Sequence, residues 1–139
     1  MKTLIKLMAF VAVFATLTAC GKDDPEPTGT KPAIEFRTGP AYTTQDVTYP
    51  GGTIVVLGTI ATRTEDDDPL KEYQVTESVN GAAATTVFTK TLTGTEEEIY
   101  YYNTTRTIGT TSGETRKLTF KVTSEKGLSN EVSLTVTVF

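Results

Sequence analysis

The chain has no histidine and no tryptophan, a single cysteine, and only 9% aromatic side chains among its 139 residues. Without imidazole, every catalytic triad or dyad that uses histidine as its base is excluded, and so is every metal site that needs a histidine ligand. With one cysteine there can be no intramolecular disulfide, so a folded body must be held by its apolar core. Basic charge is short as well. Thirteen Lys and Arg stand against seventeen Asp and Glu, a net −4, which is the wrong sign for a nucleic-acid footprint. The length allows one domain at most.

What is present begins with a leader. Lys2 and Lys6 give a positive end, and the run from Leu7 to Leu17 is almost wholly apolar. About eleven residues at ~1.5 Å each reach about 16 Å, roughly half of a hydrocarbon core, so the run reads as a secretory signal and not as a spanning helix. Loss of Lys2 and Lys6 with the leader would take the net charge to −6.

The leader ends Leu17-Thr18-Ala19-Cys20, which resembles the lipobox of bacterial lipoproteins. The resemblance implies cleavage after residue 19, lipidation of Cys20, and a chain anchored to a membrane without spanning it. Two or three acyl chains make such an anchor effectively permanent, where a single chain binds only marginally. The following Gly21-Lys22-Asp23-Asp24-Pro25-Glu26 resembles the lysine-plus-acidic export cluster of surface lipoproteins in Bacteroidota. That likeness implies the outer membrane, facing outward, with Lys22, Asp23 and Asp24 as the signal. A solvated acidic tether facing the periplasm is the alternative.

Residues 20–32 are then expected to be the lipidated cysteine and a flexible tether, since Pro25, Pro27 and Pro32 are interleaved with Gly and charge and no large apolar side chain is available to pack. The body is expected over residues 33–139. Threonine is frequent there, β-branched residues dominate, and no long window has a period of 3.6, so helix is not supported. Val132, Leu134, Val136 and Val138 alternate with polar residues, as do Leu118, Phe120 and Val122. Ser124-Glu125-Lys126-Gly127 joins the two runs as a hairpin turn. Further strands read over Ile99–Arg106, Thr85–Leu92, Lys71–Val79 and Thr53–Thr62, with Ile34–Arg37 and Asp46–Tyr49 as split edge segments. Seven or eight short strands in this span imply an all-β, two-sheet antiparallel β-sandwich.

The run from Lys117 to Val138 resembles the last two strands of PKD-like and related immunoglobulin-like modules. Ile34 to Val47, followed by Pro50-Gly51-Gly52, is similar to small single-domain lipoproteins of Bacteroidota. The likeness implies an immunoglobulin-like fold and a surface location, and it carries no catalytic residues. The expected role is a non-catalytic binding or adhesion module with a glycan or protein ligand. The alternatives are a carbohydrate-binding accessory of a glycan-uptake system, and a structural domain stabilised by calcium.

Three clusters bear on these readings. If Ile99 and Tyr101 fill the core, Tyr100 and Tyr102 stand outside as a platform on which sugar rings could stack; otherwise that pair packs under a loop or a neighbouring strand, helped by Arg106 or Lys90. Tyr42 and Tyr49 could add to either surface. Glu65-Asp66-Asp67-Asp68 offers oxygens to Ca²⁺, with Asp66, Asp67 and Asp68 as ligands, but lacks the glycine and distal glutamate of an EF-hand. The competing expectation is a solvated, self-repelling loop and no cofactor. Glu96 and Glu98 could be read as an acid–base pair for glycoside cleavage, yet edge-strand protection by charge accounts for them better, and no enzyme activity is expected.

Replacing Cys20 by serine should leave an unprocessed precursor that takes up no labelled fatty acid. Normal maturation of that variant, read by mass spectrometry, would remove the anchor.

Overall fold

Threonine and β-branched runs leave extended backbone as the favoured state. A computed structural model of the chain, which describes residues 25–139, is built accordingly from eight strands and one short 3₁₀ turn. The leader, Cys20, and Lys22, Asp23 and Asp24 lie outside the described residues. The strands are β1 (Ala33–Phe36), β2 (Val47–Tyr49), β3 (Ile54–Thr62), β4 (Leu70–Val79), β5 (Thr85–Thr91), β6 (Ile99–Thr107), β7 (Thr115–Ser124) and β8 (Ser129–Val138), with the turn at Gly94–Glu97.

They form a three-stranded sheet in the order β1-β3-β6 and a five-stranded sheet in the order β2-β8-β7-β4-β5. All pairs are antiparallel except β2 with β8, which is parallel. The chain therefore crosses between the sheets early: β1 edges the first and β2 the second. The expectation of split edge segments at the start corresponds to this crossing.

Period-2 alternation decides what faces the core. On β7, Leu118, Phe120 and Val122 are buried, and on β8 Leu134, Val136 and Val138 are buried. Their hairpin closes on Gly127, whose φ of 83° lies in the region where a Cβ is penalised. On β3, the inward set is Val55, Leu57, Thr59 and Ala61.

An aromatic cluster joins the two sheets. Phe36 meets Phe120 edge-on with ring centroids 5.8 Å apart. Tyr73 from β4 lies 5.0 Å from Tyr100 and 5.2 Å from Tyr102, both on β6, and Tyr102 in turn lies 4.8 Å from Phe88 on β5. Such offset and edge contacts add roughly 0.5–1.5 kcal/mol per pair beyond the area they bury. The Tyr73 hydroxyl reaches across the core to the Thr59 hydroxyl on β3 in a buried hydrogen bond, and both residues are fully inaccessible to solvent. A hydroxyl at this depth needs a partner, and each supplies the other's.

The body begins earlier than Ala33. Pro32 is buried, and its carbonyl accepts a hydrogen bond from the Asn130 side-chain amide at 3.0 Å. The Thr64 hydroxyl lies within hydrogen-bonding distance of the carbonyls of Thr30 and Lys31, at 3.1 and 3.0 Å. Side-chain composition predicts a tether running to residue 32, since nothing in it is apolar enough to pack. What docks its last residues is backbone hydrogen bonding, which side-chain composition does not reveal.

Tyr73→Phe should destabilise the fold by about 1–3 kcal/mol, because it leaves the Thr59 hydroxyl buried and unpartnered. The Tyr73→Phe/Thr59→Val double variant should lose less than the two single changes summed, as read by denaturant melts. Burial pushes the Tyr73 phenol far above the usual tyrosine range. Its stabilising contribution is therefore complete below pH ~10, the unfolded value, and declines as pH rises further.

Candidate functional site

The outer face of the three-stranded sheet carries the one exposed aromatic cluster among the described residues. Opposite parity to the core set puts Val56, Gly58 and Ile60 of β3 on this face, in register with Thr105, Asn103 and Tyr101 of β6. After β1 the backbone stays on the β3 edge: the Arg37 N–H donates to the Gly58 carbonyl at 2.8 Å, and the Thr43 N–H donates to the Val56 carbonyl at 2.8 Å. Between these two bonds the chain turns at Gly39, where the Tyr42 N–H meets the Gly39 carbonyl at 3.1 Å. The turn brings Tyr42 back over the sheet.

Four side chains converge there. The Arg37 guanidinium lies 5.1 Å from the centroid of Tyr42 and 5.7 Å from that of Tyr101. Its Nη1 donates to Asn103 Oδ1 at 2.8 Å, and the Tyr42 hydroxyl donates to the same oxygen at 3.0 Å. Gly58 makes room beneath. A Cβ at that position would come within 2.7 Å of Tyr42 Cε1, 2.8 Å of Asn103 Oδ1 and 3.0 Å of Arg37 Cδ. Tyr101 is 53% exposed, so its ring is held by Arg37 and still offered to solvent. The arrangement presents a flat apolar surface beside a fixed guanidinium and a side-chain amide, which suits ligands that combine an apolar face with hydroxyl or carbonyl groups.

The expectation that Tyr100 and Tyr102 form an outward platform is overturned. Each is only 8% exposed and faces the core. The condition on which that platform rests, Ile99 and Tyr101 filling the core, is not met: Ile99 resembles a core residue but shares the outer face with Tyr101 and is half-buried there. The signal for the true inward face is Ile108, the residue immediately after the strand, which is buried and has the parity of Tyr100 and Tyr102. Arg37 and Asn103 went unrecognised because an isolated arginine and an isolated asparagine carry no motif; only the register brings them together. Lys90 does lie over the Tyr100 ring, 5.1 Å from its centroid. Tyr49 packs half-buried against the core and takes no part in the outer cluster.

The acidic loop does different work from the calcium reading. Asp68 is buried and its Oδ1 accepts the Lys126 backbone N–H at 2.8 Å. The Lys126 ammonium lies 2.8 Å from Asp67 Oδ2 and 3.4 Å from Glu65 Oε2, while Asp66 pairs with Arg63 at 3.5 Å. Asp67 and Asp68 thus both engage Lys126, one through its ammonium and one through its backbone N–H, while Asp66 turns to Arg63, and among the described residues no group of three or more His, Cys, Asp or Glu side chains converges as a metal ion requires. Glu65 Oε1 also accepts the Thr30 N–H at 2.7 Å. That bond, seconded by Lys126, holds the Glu65 carboxyl below its usual range, and Lys126 does the same for Asp67. This loop and the β7–β8 turn clasp the chain at Thr30, ahead of β1. Both depressed values mean that the clasp is intact above the ordinary carboxylate range and weakens as pH falls through it.

Glu96 is hydrogen-bonded to Lys90, which lowers its pKa and raises that of the lysine. Glu98 lies 3.4 Å from Arg63. Each glutamate has its own cation, so the two are not poised as an acid–base pair.

No protein-family model matches this sequence, and no curated protein matches it. Among solved structures, the chain is similar to the sporulation control protein Spo0M of Bacillus subtilis, at 12% identity and a TM-score of 0.44, over 78% of this chain. It spans about half the length of that protein (49%).

Gly58→Ala should keep the fold at a cost of roughly 1–2 kcal/mol, the scale of overpacking. It should also displace Tyr42 from Asn103, which side-chain NMR of Tyr42 would report as a loss of its hydroxyl hydrogen bond.

Proposed function

We propose that this chain is a lipid-anchored, immunoglobulin-like module at the outer membrane, turned outward, which binds its ligand without catalysis through the outer face of the three-stranded sheet. The observation that carries the reading is the Arg37–Tyr42–Tyr101–Asn103 cluster, a half-exposed aromatic ring beside a guanidinium that the Asn103 amide oxygen fixes in place.

The immunoglobulin-like assignment is supported by strand order. β1, β3 and β6 correspond to strands A, B and E of that sandwich, and β8, β7 and β4 to G, F and C. β5 corresponds to C′, and β2 is the second half of a divided first strand, parallel to the last. The anchor rests on the lipobox-like Leu17-Thr18-Ala19-Cys20, and the outward orientation on Lys22, Asp23 and Asp24. Because the clasp holds the chain from Thr30, the reach from the lipid is Gly21 to Gly29, at most about 30 Å fully extended.

A carbohydrate ligand is the second reading, now centred on Tyr101 instead of Tyr100 and Tyr102. Aromatic rings bind the apolar faces of sugars, while arginine and asparagine supply hydroxyl partners. Calcium and hydrolysis have weaker support, since Asp66, Asp67, Asp68, Glu96 and Glu98 already have partners of their own.

A glycan array probed with the wild-type chain and with Tyr101→Ala tests the carbohydrate reading. We expect a wild-type signal that falls at least tenfold in the variant, at roughly 1.4 kcal/mol per tenfold. A signal unchanged by Tyr101→Ala would take the binding face away from this cluster. Absence of signal in both would remove the sugar and leave a protein ligand.

A further inference from the structure

β6 edges its sheet, with β3 on one side and no strand on the other among the described residues. The direction of its free backbone groups follows from two hydrogen bonds at its ends. The Ile108 N–H donates to the Thr53 carbonyl, and the Arg63 N–H donates to the Glu98 carbonyl, each at 3.0 Å. In an antiparallel ladder the residues that face the partner alternate, so the even-numbered positions of β6 bond β3. Ile99, Tyr101, Asn103, Thr105 and Thr107 therefore aim their N–H and C=O groups away from the sheet. Of these, only the Thr105 carbonyl has another contact, a long 3.4 Å one from the Thr104 hydroxyl.

Such an edge invites pairing unless something prevents it. Over nine residues β6 has no proline, no glycine and no bulge against β3. Its one charge is Arg106, on the inward face. Arg106 Nε is buried without a hydrogen-bond partner, and no carboxylate among the described residues lies within ion-pair distance of its guanidinium. Glu96, Glu97 and Glu98 stand at the opposite end of the strand. Glu96 and Glu98 are already paired with Lys90 and Arg63, which leaves Glu97 as the carboxylate there without a cation among the described residues; Glu97 before the strand and Arg106 near its end complement each other only when two copies run antiparallel.

We propose that β6 pairs with β6 of a second copy about a two-fold axis through Asn103, joining two three-stranded sheets into one of six strands. In this register Ile99 faces Thr107 of the other copy, Tyr101 faces Thr105, and Asn103 faces itself. The five outward-facing residues on each chain then exchange about ten backbone hydrogen bonds. The even positions form the close, non-hydrogen-bonded pairs, which sets Arg106 against Tyr100 of the other copy, with the Glu96–Lys90 pair beside that tyrosine. An inward charge on a bare edge repels an arbitrary strand; here it meets the aromatic ring of its own twin, at the end of the strand that carries Glu97. The two Tyr101 clusters come to lie on one continuous face. The pairing does not depend on what that face binds.

The test uses thiol pairs in the full chain, treated with a short bis-maleimide, over the background set by the unmodified chain. Ile99→Cys alone and Thr107→Cys alone should cross-link poorly, because like positions lie about 26 Å apart along the paired strands at ~3.3 Å per residue. Mixing the two should give a covalent dimer. Thr105→Pro removes only an outward N–H and should abolish the dimer in sedimentation while leaving the circular-dichroism melt nearly unchanged. Arg106→Ala should weaken association about three- to tenfold. Cross-linking of a single variant as efficient as the mixture, or none at all, would overturn the proposal. So would a dimer that survives Thr105→Pro, or one that tightens with Arg106→Ala, since arginine would then be acting as a guard.

Discussion

Everything in this molecule turns on how Tyr73 crosses the core. Its ring rests against Tyr100 and Tyr102 of the opposite sheet, and its hydroxyl finds the buried hydroxyl of Thr59. With no disulfide available, apolar contact must hold the two sheets together, and apolar contact alone is tolerant of sliding. A buried hydroxyl pair is not, because any shift of one sheet over the other leaves two polar groups unsatisfied in a medium without water. The cluster thereby sets the relation between the sheets and, through period-2 alternation, the face on which every residue of β6 must lie.

That constraint produces the outer surface as a by-product. Once Tyr100 and Tyr102 are committed to the core, Tyr101 and Asn103 have to face solvent, across from Ile60 and Gly58. The missing side chain at Gly58 admits Tyr42, and Arg37 is held between two rings with its guanidinium tied to Asn103. Electrostatics elsewhere is organised for structure. The acidic loop and Lys126 secure the segment that precedes β1, and Arg116 lies between Glu77 and Glu114, at 3.1 and 2.6 Å.

Much of this architecture was legible in the chain. β7 and β8 alternate cleanly because one face of each is core, and Gly127 marks their turn. The β3 run was recognisable as apolar on both faces, but its Thr59 gave no hint that it was an inter-sheet contact. β6 was recognisable as a strand and misleading in its orientation. Three consecutive tyrosines carry no parity of their own, and Ile99 weighted the wrong face. The tether clasp was illegible for another reason, since it is made by the backbone of Thr30, Lys31 and Pro32 meeting Thr64, Glu65 and Asn130, residues far apart in sequence. The acidic run at Glu65–Asp68 looks like a cation site because its members are adjacent; in space Glu65, Asp67 and Asp68 are taken up by Lys126, and Asp66 by Arg63.

The orientation of β6 decides which tyrosines face solvent, and chemical nitration of the native chain reads it directly. Mass spectrometry after brief treatment with tetranitromethane should find Tyr101 modified ahead of Tyr73, Tyr100 and Tyr102, which should become reactive only on denaturation. Nitration of Tyr100 and Tyr102 in the native chain at the rate of Tyr101 would contradict it.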